Sequence, residues 1–308
     1  MGRALPKPGL KPKLPPSRRG EARAAMVFLL PWIVGIVALT AVPMLASLVL
    51  SFTNYDLLSW PDWVGTRNYE RLFTRDRRFV QALEVTTIYV AVSVPLAVAF
   101  ALIVAVTISG HSRSSNFFRG VFYLPSLLGG SVAIGVLWRQ IFGADGIFTN
   151  LLQLLGFQVT SWVGNPDTAL TTLILLNIWQ FGSPMVIFLA GVRQIPSDIV
   201  QAAIMDGASP IRRFFSITLP LLSPLILFNL VMQMIVSFQA FVPAFVIGDG
   251  AGGPVDSTLF YTLYLYIEGF KNFRMGYAMA MAWILLGIIA AATAMAFWSS
   301  RRWVHYES

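Results

Sequence analysis

Cysteine is absent from this chain, histidine occurs only at His111 and His305, and 12% of the 308 residues are charged. Without cysteine there is no disulfide, thiolate nucleophile, iron–sulfur cluster or cysteine zinc site. Two histidines do not make a histidine-rich metal centre. No GxxxxGK[ST] phosphate loop and no HExxH helix occurs, so the chain carries no motif for ATP or for a zinc hydrolase. Charge is the most telling shortage. An ordinary soluble domain is about 25% charged and at most about 50% apolar, whereas 56% of this chain is hydrophobic and its mean hydropathy is +0.69. That balance excludes an ordinary soluble protein, and it excludes disorder beyond the first two dozen residues. The net charge of +8 is better read as membrane orientation than as a nucleic-acid footprint.

What the chain has instead is long apolar runs. A membrane-crossing helix needs about 20 mostly apolar residues. No charge falls within 26–52, 85–110, 120–138, 168–192, 214–248 or 275–300, which predicts six spans. The run 214–248 is overlong, and its start reads as a cytoplasmic segment before Pro220. Segment 146–166 is rich in Asn, Gln and Gly, and its apolar residues recur at helical spacing on one face. It is expected to be a short helix in the membrane interface. The stretch 257–267 is too short to span. Pro31, Pro43 and Pro95 are expected to kink their helices.

Orientation follows from lysine and arginine. With the N-terminus inside, segments 1–25, 110–119, 193–213 and 301–308 hold fourteen basic and four acidic residues; the outer segments hold eight and ten. Both termini are therefore expected in the cytoplasm. Residues 1–25 read as a disordered, basic, Pro-rich cytoplasmic tail, 26–300 as the membrane domain and 301–308 as a cytoplasmic tail that includes His305. The N-terminal apolar run is too long for a cleaved signal. Glu84 is expected to be solvated or paired with a loop arginine, and Arg139 to snorkel to the headgroups.

The segment 195–220, IPSDIVQAAIMDGASPIRRFFSITLP, reads as helix–turn–helix. Ser197 is the expected cap and Asp198 suits the first turn. Gly207 stops the helix, and Ser209-Pro210 starts the next one. A capped apolar and basic elbow is more than a chain reversal needs, which points to a docking element.

Gln201-Ala202-Ala203, Asp206-Gly207-Ala208 and Ile217-Thr218-Leu219-Pro220 stand at the spacing of the EAA loop, and in these residues the chain resembles ATP-binding-cassette importer permeases. Gln201 departs from the usual glutamate. Residues 29–58, 63–73, 117–128 and Gly252-Gly253-Pro254 are similar to the maltose and glycerol-3-phosphate type of carbohydrate permease. The resemblance implies an all-α polytopic membrane protein, six transmembrane helices with a cytoplasmic coupling helix, in the bacterial plasma membrane. It implies a second permease subunit, an ATPase dimer that binds the ATP and Mg, and an extracytoplasmic solute-binding protein. The chain itself would bind no cofactor or metal, would not be an enzyme, and would meet the ATPase through Gln201, Ala202, Ala203, Asp206, Gly207 and Ala208.

Polar side chains inside spans are costly and tend to face the bundle interior or a pathway. Span four carries Asn177, Trp179, Gln180 and Ser183. Span five carries Asn229, Gln233 and Ser237 at four-residue spacing, on one face. Neutral amides, hydroxyls and an aromatic face suit a sugar, and no span has a charge at its centre. The resemblance singles out Asn177, Trp179, Gln180, Gln233 and Ser237 as the substrate positions. The competing use is interhelical hydrogen bonding. Met232, Met234 and Phe238 read as packing. A secondary transporter or channel is the alternative, disfavoured by the lack of intramembrane acids and of a repeated pair of interrupted helices. A membrane enzyme would have to be built from Ser, Asp and Glu at span ends.

Overall fold

The computed structural model describes residues 18–110, 113–157 and 160–305. His111, residues 1–17 of the N-terminal tail and the last three residues lie outside it. Among the described residues the structure is helical, with a single isolated bridge between Thr53 and Trp63. Four helices are long and apolar enough to cross a membrane: Ala25–Leu50, Arg77–Thr107, Pro166–Gln194 and Met275–Ser300. The number is six if two sharply bent pairs each count as one crossing. Those pairs are Phe117–Leu128 with Val132–Leu154, bent by 99°, and Pro210–Leu221 with Ser223–Phe238, bent by 68°.

The chain divides into residues 1–49 and 50–308. In the first unit the helix begins at Arg18, so residues 18–25 are helix where a disordered tail was expected. Pro31 sits inside that helix without ending it. A π-helical turn, Val37–Ala41, precedes Pro43, whose missing N–H and bulky ring cannot continue a regular ladder.

In the second unit Arg77–Thr107 is the central post. Asp76 caps it by accepting from the Phe79 N–H at 3.0 Å, and it runs unbroken past Pro95. Ala82, Ala97, Ala101 and Ala105 are fully buried. Small residues let other helices come close where lipid gives no hydrophobic driving force. Pro166–Trp179, Gly182–Gln194 and Ser223–Phe238 all pack on this post. Gly191 marks one such approach: a Cβ there would stand 2.2 Å from Leu225.

Several expectations are corrected. Span three is broken at Gly129–Ser131, and span five at Leu222 rather than opened by Pro220. Two interrupted helices therefore exist among the described residues, where no repeated pair of them was expected. The 146–166 segment contains a helix, Ile147–Leu154; its Gln158 lies outside the described residues. The segment 257–267, too short to span, is packed into the core. Leu259, Phe260, Tyr261 and Leu263 are fully buried, and the Tyr261 hydroxyl donates to Met281 O.

On the side opposite the elbow, Asp76 also accepts from the Tyr264 and Tyr277 hydroxyls. Burial pushes the Tyr264 phenol up, which keeps it a donor. Arg139 pairs with Asp249. Glu84 is exposed, and no ion pair of the loop arginines includes it: Arg78 bonds Asp256 at 2.7 Å. The C-terminal segment is tied down, with the His305 N–H donating to Ser223 Oγ at 2.9 Å.

Candidate functional site

Two helix breaks meet at one place. Pro166–Trp179 ends and Gly182–Gln194 begins around Gln180-Phe181, beside the break in span three. Gly182 lies so close to span three that a Cβ would stand 2.6 Å from Phe122 O. Gly129 lies so close to span four that a Cβ would stand 2.1 Å from the Gln180 side chain. Gly182 is needed for this approach, since backbone faces it, whereas Gly129 leaves the space that the Gln180 side chain fills.

Beside these breaks lies a cleft of about 350 Å³. Its polar wall is Ser126, Asn177, Gln180, Ser183, Asn229 and Gln233; its apolar wall includes Phe228, Met232 and Val236. No charged side chain among the described residues lines it. Apolar walls with a few convergent polar groups are what a small-molecule site requires.

The amides are partly used. Asn177 Nδ2 donates to Ser93 Oγ of the central post at 2.9 Å, leaving its carbonyl oxygen free to accept. Asn229 Nδ2 donates to Leu225 O one turn back at 2.9 Å, and Gln180 Nε2 reaches Leu176 O at 3.3 Å. Asn177 therefore both joins helices and faces the cleft. Gln233, half-buried, makes no such bond among the described residues and keeps both a donor and an acceptor for a guest.

Of the five expected substrate residues, Asn177, Gln180 and Gln233 come together and two do not. Trp179 turns away and packs on Trp138, with ring centroids 5.7 Å apart. Ser237 is buried outside the cleft wall, its hydroxyl without a partner among the described residues. Sixteen residues of regular helix carry the four-residue stripe, and the wall of the cleft covers only its first two members. Met232 lines the cleft and is not packing, whereas Met234 and Phe238 are core. Ser126 was missed; a hydroxyl directly after Pro125 inside an apolar run was the available signal.

The elbow forms as a helix, Ser197–Met205, followed by a turn and a short helix from Pro210. Its cap differs from expectation: Pro196 is the capping residue and Ser197 is already helical, bonded to Asp198. Gly207 has φ +75°, the Gly207 N–H donates to Ile204 O and the Ala208 N–H to Ala203 O. That is the paired helix-end motif a left-handed glycine permits. Ser209 caps the second helix by accepting from the Arg212 N–H. Gln201, Ala202 and Asp206 are exposed, while Ala203 and Ala208 are half-buried. Met205 is 87% and Ile211 72% exposed, an apolar surface that water disfavours.

An all-helical bundle of membrane-crossing length, with broken spans around an uncharged polar cleft, defines a multi-pass membrane transport subunit. The chain belongs to the binding-protein-dependent transport system inner membrane component family, whose pattern matches residues 72–305. It is 50% identical to the probable ABC transporter permease protein YesP of Bacillus subtilis, over 95% of each chain. It is 32% identical to the lactose transport system permease protein LacF of Rhizobium radiobacter, over 89% of this chain and 93% of that one. A solved chain of a bacterial alginate ABC transporter, in complex with an alginate pentasaccharide-bound periplasmic protein, superposes with a TM-score of 0.79 at 21% identity. It covers 92% of this chain and 96% of that one. The chain is thus an ABC importer permease subunit and not an enzyme.

Proposed function

We propose that this subunit forms half of the pathway for a sugar or oligosaccharide, with a second permease as the other half. The observation that carries the reading is the uncharged cleft lined by amides and hydroxyls. Sugar hydroxyls both donate and accept, and Asn, Gln and Ser match them; the apolar ring face rests on Phe228 and Met232. A phosphate would find no counter-charge there, which sets glycerol-3-phosphate second. A solute-binding protein delivers the sugar at the outer face. ATP and Mg belong to two partner ATPases, which seat on the exposed elbow around Gln201, Ala202, Ala203, Asp206, Gly207 and Ala208. Both termini are cytoplasmic in this reading. Closure of the ATPases moves the elbow, and the breaks at Leu222, Gln180 and Gly129 let the spans rock as short rigid pieces between inward- and outward-open states.

The test is uptake by the complete importer in proteoliposomes, with a panel of neutral sugars and glycerol-3-phosphate. Uptake of a neutral sugar driven by internal ATP, with Gln233→Ala raising the half-saturating concentration, is expected. Transport of glycerol-3-phosphate alone would overturn the sugar assignment.

A further inference from the structure

A second cavity, of about 360 Å³, lies behind the elbow. Three elements wall it: the end of the central post at Val106 and Ser109, the end of span four at Val192 and Ile195, and the elbow from Val200 to Thr218. Among the described residues its lining is mostly apolar, with one charged side chain, Arg213. The Arg213 Nε is buried and meets no acceptor among the described residues. A buried guanidinium N–H without a partner is an unusual and costly arrangement, and arginine is the side chain suited to a phosphate oxygen.

We propose that this cavity holds one anionic phospholipid. Its phosphodiester oxygen accepts from Arg213 Nε, and its glycerol and upper acyl carbons lie along Val106, Val192 and Ile195. Position and chemistry select that occupant together. The cavity opens where two membrane-crossing helices end, at Thr107 and Gln194, which is headgroup depth if those helices cross the bilayer. A lipid is the molecule at that depth carrying an anion and an apolar stem in one piece. A carboxylate of a docked protein could meet Arg213 but would leave the aliphatic walls uncovered. The neighbouring Arg212 is exposed and outside the lining, so it serves as an internal control. Bound there, the lipid ties the elbow to the ends of two spans and makes its seating depend on the bilayer.

The complete importer, with its second permease and ATPases, is reconstituted in nanodiscs containing a photoreactive phosphatidylglycerol, and crosslinked peptides are mapped by mass spectrometry. Label is expected within residues 192–218. Arg213→Gln should lower it by about tenfold, as expected for loss of a charge-assisted hydrogen bond, and Arg212→Gln should leave it unchanged. Ile195→Phe, which fills the cavity from the opposite wall, should lower it with Arg213 intact. Size exclusion confirms that each variant assembles. Equal labelling of wild type and Arg213→Gln would overturn the proposal. So would competition by millimolar inorganic phosphate, which would make this a site for a free anion, or a crosslink from residue 213 to an ATPase side chain that excludes the label. These outcomes are independent of which solute the central cleft takes.

Discussion

At the scale of single residues, the cleft separates two amides that the sequence treats alike. Asn177 holds Ser93, a side chain buried completely on the central post. Asn177→Ala removes that bond, Tyr89 remaining as a partner of Ser93, and should cost about 0.5–1.5 kcal/mol of stability. Gln233 has no such duty. Gln233→Ala should leave assembly intact and weaken only the hydrogen bond to the guest, by about 0.5–1.5 kcal/mol, or roughly twofold to tenfold in half-saturating sugar. Thermal unfolding of the purified complex and uptake kinetics give the two readouts. A Gln233→Ala complex that falls apart would move Gln233 to the structural side. A second contrast lies in the glycines. Gly182→Ala drives a methyl to 2.6 Å from Phe122 O, a backbone atom that cannot swing aside. Overpacking of about 1–3 kcal/mol should result. Gly129→Ala meets the flexible Gln180 side chain, which can swing into the cleft. Normal stability with impaired uptake is therefore expected of Gly129→Ala, and lowered stability of Gly182→Ala.

At the scale of elements, the elbow depends on one backbone conformation. Gly207 at φ +75° has open space around it, so the obstacle to a side chain there is the dihedral and not a clash. An unbranched side chain there should cost about 1–2 kcal/mol, and the β-branched Gly207→Val more. It removes the paired bonds from Gly207 and Ala208 that end the first helix. The two short helices then lose their fixed angle, and the ATPase should be released or uncoupled. Gln201→Glu, on the exposed face, should be tolerated. Pull-down of the ATPase, with ATP hydrolysis dependent on the solute-binding protein, reads both. Normal uptake by Gly207→Val with the ATPase still bound would refute the coupling role.

At the scale of the whole molecule, the charge asymmetry predicts an orientation that a bundle of helices does not display by itself. The absence of native cysteine makes labelling clean. Leu58 is 84% exposed in the loop after the first span, and His305 lies at the opposite terminus of the crossings. Leu58→Cys should react from outside with an impermeant thiol reagent, and His305→Cys should react only after permeabilisation. Gly253 is a poor labelling position, because its φ is +71° and a Cβ would stand 2.3 Å from the Thr258 hydroxyl. Labelling of His305→Cys in intact cells would mean an odd number of crossings.

The membrane class, the helical character, the elbow with its glycine end and the family itself are legible in the sequence. Each rests on local information: run length, charge, caps and motif spacing. The cleft was legible only in part. Asn177, Gln180 and Gln233 could be named because amides in an apolar run must face inward, yet the same argument named Trp179 and Ser237, which face inward to other helices. Which inward face lines a cleft depends on where spans break and how closely they approach. The breaks at Gly129–Ser131 and Leu222 lie inside uninterrupted apolar runs, where hydropathy is blind to a change of direction. Close approach at Gly129 and Gly182 is a property of two segments about fifty residues apart. The sequence alone determined that polar groups would be buried between helices; packing of span three against span four decided which of them share one space. The physical reason is that hydrophobicity selects an environment for each residue separately, while a cleft is a gap between surfaces and exists only once the helices are packed.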